Sequence, residues 1–575
     1  MKFLVLFLSV AVLLFSETRK EEIEALPIDS YPTAAAWHRL GVHDHRGIDV
    51  PLLSIVSEKS SGNGEFLDLI PMIDWLNKHH LDILRLLPLN DTAEIASPYS
   101  PISANALHPI YLSLDALPYL EEAPSFLKVA LADLKKYNKT EHVEYSKVYE
   151  KKQKWLHEYV KSFSKEIQSR SDYQAFVKHT SPWLEDYALF KVLREKYGSI
   201  TDKWPSEIRH ADDKKIQELN AKYKEEMTCY SIIQFFCYHQ MHYVHTYANE
   251  RGVFLLGDMS FMVSMDSVEI WRYPHFFKLD FSLGTKPGSV VPKGENWGLP
   301  PYDWEAIERS NYSYFKIRLN TFKDYYDIYR LDHSAGYYWQ YEIPVDHPPE
   351  DGQYFPEGKK AMLANGKRRL SAIASLTELL PTAEDPRFDQ EMRDVIINLG
   401  IPGIRFFVYI NSKVPINHLV TSGKDYNLMT ITAIADHDLP PFRTWWEDNP
   451  KRAKAFARQI GWKYYKQPTV FQQEQLLWQQ MHSNSLFHIE LLQDMLPPNL
   501  THSPQDERIN FPGTVSDKNW SYRYKLTVEQ LVNNPEVSKL IQTILSPIRP
   551  ESPISSVQHN ALSFECPTDH LSGVN

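Results

Sequence analysis

The chain has 575 residues with a net charge of −11, 13% aromatic residues, 23% charged residues and three cysteines. This balance excludes a disordered chain, which would lack the aromatics to bury. With no basic stripe it also excludes a nucleic-acid binder, and cysteines without framework or zinc spacing exclude a disulfide-stapled or zinc module and suit a reducing compartment.

The first element is an apolar run from Phe3 to Phe15 behind Lys2. It has the form of a signal-peptide core and is too short to span a membrane, but Leu14 and Ser16 lack the small-x-small cleavage pattern. Residues 1–16 are read as a signal-like segment or a spurious extension. Export competes with a cytoplasmic location, and cytoplasmic is the expectation. Residues 126–224 are rich in Lys, Glu and helix formers and predict a helical insertion. Elsewhere short apolar runs recur, each ending in polar or charged residues. They are LDILRLLPL from Leu81, GVFLLGDMSF from Gly252, YDIYRLDH from Tyr326, LLPTAED from Leu379, IPGIRFFVYI from Ile401, LMTITAIADHD from Leu428 and LFHIELLQDML from Leu486. Amphipathic segments of helical length separate most of them. Buried short strands alternating with helices imply parallel βα units. At this length the expected fold is a (β/α)₈ TIM barrel over residues 30–545 with helical and loop insertions, a tail over 546–575 and no C-terminal β-sandwich domain.

Carboxylates cluster at the ends of these runs: Asp258, Asp332, Glu384 with Asp385, and Asp438. In such barrels the C-terminal strand ends form the reactive rim. By strand alternation Ile328, Arg330 and Asp332 share one side, so Arg330 and Asp332 point into the mouth. Retaining glycosidic chemistry needs one ionised carboxylate as nucleophile and one carboxyl that serves first as acid and then as base. Arg330 is a nearby positive charge that lowers a carboxylate pKa, which favours Asp332 as the nucleophile. Glu384 closes an apolar run, where desolvation favours general-acid use. Asp438 supplies a third carboxylate for a cationic sugar transition state. Each feature alone also fits a structural role: an Arg-x-Asp ion pair, or a core hydrogen bond for His437. The many Tyr and Trp suit stacking on neutral sugars, and for most of them core packing is the plainer reading.

These motifs resemble the 4-α-glucanotransferases, the amylomaltases or disproportionating enzymes of glycoside hydrolase family 77, from about Trp37 to Tyr524. YRLDH resembles the family's nucleophile motif, LLPTAEDPRF its acid/base motif and ADHDLPPFRTWWED its stabiliser motif. The resemblance implies Asp332 as nucleophile, Glu384 as acid/base and Asp438 as stabiliser. It further implies substrate contacts for Ser97, Tyr99, Asp258, Trp297, Arg330, His333, His437 and Asn510. Trp297 and Asn510 belong to loops that lie over the glucan. It implies malto-oligosaccharide and glycogen-type glucans as substrates, no metal or organic cofactor, and no nucleic-acid or membrane partner. The chain departs from the pattern at Pro386 and Arg387, where the family usually has Leu-Gly, and at Asp436, where it often has Thr. Glu378 is the alternative to Glu384. An α-glucan hydrolase of the α-amylase group and a catalytically impaired glucan-binding protein are the competing readings.

Overall fold

Every second residue of a barrel strand faces the lumen, so strands with apolar inward positions at their start and charged ones at their end build a plugged base and a reactive rim. A computed structural model of the chain, which describes residues 19–288, 292–384 and 389–550, has this arrangement. The strands in chain order are β1 (His45–Val50), β2 (Ile83–Leu86), β3 (Phe254–Met259), β4 (Phe281–Thr285), β5 (Glu295–Asn296), β6 (Ile328–Leu331), β7 (Gln340–Pro344), β8 (Gln353–Phe355), β9 (Leu380–Glu384), β10 (Gly403–Phe406), β11 (Thr430–Ala433) and β12 (Phe487–Leu491). β1, β2, β3, β6, β9, β10, β11 and β12 close in that order into an eight-stranded barrel, and all their pairings are parallel.

The inward apolar positions Ile83, Leu256, Ile328, Leu380, Ile404, Ile431 and Ile489 meet in one buried cluster. Trp37, from the helix Ala34–Leu40, plugs it from below and donates its indole N–H to the Gly400 carbonyl at 2.9 Å. The alternate residues Leu84, Leu255, Tyr329, Leu331 and Ala383 pack outward into the larger core with the helices. One step up the lumen, Asp258, Arg330 and Thr382 lie in register across β3, β6 and β9.

Seven of the barrel strands lie within the seven apolar runs. The eighth, β1, reads HRGIDV and lacks the apolar run that signals a buried strand. Its Gly47 is dictated by packing, because a Cβ there would meet the Ile83 carbonyl oxygen at 2.1 Å. Its inward Asp49 forms a buried ion pair with Arg85 at 3.0 Å. Sequence patterning also misses the second sheet, antiparallel in the order β5-β4-β7-β8.

The charged stretch after residue 124 is helical: Ser125–Leu134, Tyr145–Gln168, Ser171–His179, Leu184–Tyr197 and Asp213–Lys222. A 27-residue helix, Lys224–Glu250, follows and packs against β3. Cys229 and Cys237 both lie on it as free thiols. After β12 the described chain is helical and irregular, ending with the helix Pro535–Leu545, so no C-terminal sheet domain follows the barrel among the described residues. None of their helices is long and apolar enough to cross a membrane. The apolar segment 1–16 and most of the tail lie outside the described residues.

Candidate active site

Arg330 is the hub of the barrel mouth. Lumen-facing on β6 and buried, its Nη1 donates to both oxygens of Asp258, at 3.0 and 2.9 Å, and to Asp332 Oδ1 at 2.9 Å. Its Nη2 donates to Glu384 Oε2 at 2.9 Å. Three carboxylates from three neighbouring strands thus converge on one guanidinium, whose planar fork presents several donors at fixed angles. The chain then turns sharply at His333, whose φ of 44° lies in the left-handed region. That turn aims the His333 N–H at Glu384 Oε2, 2.9 Å away, and the Ser334 hydroxyl donates to the Glu384 carbonyl. Asp332 Oδ2 accepts the Phe261 N–H at 3.1 Å.

One cation cannot neutralise three anions. Burial pushes the Asp332 carboxyl up to about 7, against the pull of Arg330, and the charges of Asp258 and Glu384 add to the rise. This corrects the expectation that Arg330 lowers the Asp332 pKa: desolvation and two like charges outweigh one ion pair. A proton is therefore held in the cluster near neutral pH, as a property of the coupled group.

Asp438 stands five residues beyond the end of β11, in the turn after the strand. Its N–H donates to the buried Asp436 carboxylate at 3.1 Å, and its Oδ1 accepts from Asn510 Nδ2 at 2.7 Å. Burial raises its pKa, opposed by His437 and helped by Asp436. The backbone N–H of Asn510 donates to the His437 carbonyl at 3.1 Å, tying the loop to the turn. The His437 ring stacks on Tyr99 at 5.2 Å, and Trp520 closes the group at 5.8 Å from each. His437 Nδ1 is buried without a hydrogen-bond partner among the described residues. The Tyr99 hydroxyl donates to Asp258 Oδ2 at 2.8 Å, which links this aromatic wall to the carboxylate cluster. Trp297, just after β5, sets its ring edge-on to the His333 ring at 4.9 Å.

Of the residues singled out from the sequence, Asp258, Arg330, Asp332, His333 and Glu384 meet directly, and Tyr99, His437, Asp438 and Asn510 form an adjoining chain of contacts. Trp297 joins through His333. Ser97 reaches the second group through Tyr99, whose N–H its hydroxyl accepts at 3.4 Å in the turn that presents Tyr99. Glu378 is exposed before β9 begins, at the opposite rim, which removes it as an alternative to Glu384. Asp385, Pro386 and Arg387 lie outside the described residues. Sequence reasoning missed Trp520 and the Asp49–Arg85 pair. Trp520 stands in NWSYRY, a segment that resembles the family's closing loop but from which no contact residue is singled out, and Asp49 is detectable only through β1. Among the described residues, metal-type donors converge at His43, His45 and Asp82, at the far rim where β1 and β2 begin; here at the mouth the carboxylates gather on a guanidinium.

A family model described as 4-alpha-glucanotransferase matches residues 50–527. A 4-alpha-glucanotransferase from Chlamydia pneumoniae is 34% identical over 521 residues, covering 90% of this chain and 98% of the relative. One from Chlamydia caviae is 32% identical over 527 residues, covering 91% and 98%. The amylomaltase from Streptococcus agalactiae in complex with acarbose shares the fold with a TM-score of 0.73 at 24% identity, over 87% of this chain and 98% of that one.

Proposed function

The chain belongs to the 4-alpha-glucanotransferase family and is a transferase acting on α-1,4-glucans; from that premise we propose a retaining double displacement with Asp332 as nucleophile and Glu384 as acid/base. The observation that carries the assignment is the single guanidinium of Arg330 bridging the two carboxyl groups.

Asp332 attacks the anomeric carbon of a malto-oligosaccharide while Glu384 gives a proton to the departing glycosidic oxygen. The C–O bond breaks, a covalent glucosyl–enzyme forms, and the shortened glucan leaves with the proton. Glu384, now a carboxylate, takes the proton from the 4-hydroxyl of an acceptor glucan. That oxygen attacks the anomeric carbon, releases Asp332 and restores the α-configuration. Positive charge on the sugar ring at each transition state is offset by Asp438, which Asn510 and the Asp436 turn orient. Arg330 turns the attacking oxygen of Asp332 toward the ring and holds Glu384 within reach of the same bond. Tyr99, His437 and Trp520 form an apolar wall for the bound sugar, and Trp297 covers the mouth, which favours a positioned hydroxyl over water. Malto-oligosaccharides and glycogen-type glucans are the proposed substrates, and the free thiols Cys229 and Cys237 suit work in the cytoplasm.

Incubation with maltotriose tests the reading. Transfer gives glucose together with a ladder of longer chains. Shortening alone would assign a hydrolase, and unchanged maltotriose with measurable binding would assign a binding protein.

A further inference from the structure

Beyond the barrel mouth, the antiparallel sheet has two unlike faces. On one, Gln340 donates to the Tyr302 carbonyl at 2.9 Å and Glu342 accepts from Lys278 at 2.7 Å, which seats the sheet on the molecule. Alternation turns Trp339 and Tyr341 to the other face. There Tyr354 of β8 sits directly opposite Tyr341 of β7. The Trp339 and Tyr354 rings stack at 4.2 Å with 24° between their planes, and Tyr341 lies 4.8 Å from Tyr354. The Tyr341 hydroxyl is anchored to the Pro349 carbonyl at 2.7 Å, so its ring is held in place. These rings line an open cavity of about 390 Å³ edged by Lys286, Gln353 and Glu357. Trp339 and Tyr354 are half-buried, leaving aromatic surface toward that space.

We propose that this face is a second glucan platform, which holds a distant segment of the same α-1,4-glucan whose end is being processed; the proposal rests on the transferase reading above. Three features select that occupant. Pre-packed aromatic rings offer a flat, rigid apolar surface at low entropic cost, matching the C–H faces of glucose units, while the polar edge meets their hydroxyls. The cavity is wide and shallow, which suits a polymer strand and not an enclosed small molecule. The sheet is also continuous with the mouth, because β5 runs straight into Trp297, whose ring packs on His333 beside Asp332. A long glucan held on the platform has its ends at high effective concentration over the cluster. Maltotriose is too short to gain from this.

The test compares wild type with Trp339→Ala on glycogen and on maltotriose. The KM for glycogen should rise about tenfold, while kcat and KM for maltotriose stay within about twofold and Trp339→Phe restores the glycogen KM. Trp339→Leu, which keeps apolar bulk without the ring, serves if the alanine variant does not fold; it should also migrate faster than wild type in a glycogen-containing native gel. An unchanged glycogen KM, or equal damage to both substrates, overturns the platform. A wild type that builds no maltotriose ladder would instead sink the transferase reading.

Discussion

Arg330 sets the electrostatics of the mouth, because each of its carboxylate partners feels both its charge and the charges of the other two. Asp332→Asn keeps the shape and the contact with Arg330 but removes the nucleophile. Maltotriose turnover should fall more than about a thousandfold with the circular dichroism spectrum unchanged. A near-normal rate would mean that another group attacks the sugar. The raised Asp332 value also predicts the pH profile. The nucleophile must be ionised, and its carboxyl is pushed up to about 7 in the free enzyme, so kcat/KM should fall as pH drops through about 7. Asp258 is one of the charges that raises it. Asp258→Asn should therefore move the acidic limb to lower pH, even as the maximum rate falls because Arg330 loses a bidentate partner. A limb that stays put or moves up would contradict this account.

At the scale of elements, the barrel strands work as graded rods, apolar at the base and charged at the rim. The helix Ala34–Leu40 completes the base, and its Trp37 is fully buried within the inward isoleucine and leucine cluster. Trp37→Ala should cost about 3–5 kcal/mol of stability, from lost burial and the cavity left behind, which thermal denaturation would register. The folded fraction should keep its maltotriose kcat, since the plug sits at the opposite end of the lumen from Arg330. A large loss of kcat in fully folded protein would mean that base and mouth are coupled. The turn after β6 has a different task. His333 in the left-handed region directs its N–H to Glu384 and its ring to Trp297, so one strained residue serves both the acid/base group and the cover.

For the whole molecule, the helical insertion is fastened to the barrel by a buried ion pair. Lys152, on the helix Tyr145–Gln168, contacts Glu65 Oε1 at 2.6 Å with both side chains essentially inaccessible to water. Removing one partner strands the other charge, so Lys152→Met should cost about 3–5 kcal/mol, and adding Glu65→Gln should recover much of it. Burial already pushes Glu65 up to about 7, and Lys152 is the chief force opposing that rise. Without the lysine the folded carboxyl binds its proton more tightly still. A group whose folded pKa exceeds its unfolded value stabilises most at low pH and loses that contribution as pH rises from its unfolded value, about 4.5. The Lys152→Met deficit, measured by urea unfolding, should be larger at pH 8 than at pH 5. A deficit independent of pH would place the cost in packing and not in charge.

Read along the chain, the barrel is legible because strands buried on both faces read as mostly apolar runs: the runs from Leu81 to Leu486 stand out for that reason, and their charged ends mark the rim. β1 escapes the same test because His45, Arg46 and Asp49 interrupt it, and the outer sheet escapes because its strands are short and sided. Alternation also puts Arg330 and Asp332 on one side, a consequence of purely local geometry. Folding alone brings Arg330 to Asp258, 72 residues away, and to Glu384, 54 residues away. It likewise sets the sign of the Asp332 shift. Hydrophobic period is a property of neighbours in sequence, whereas desolvation and Coulomb interactions sum over neighbours in space, which exist only once the barrel has closed.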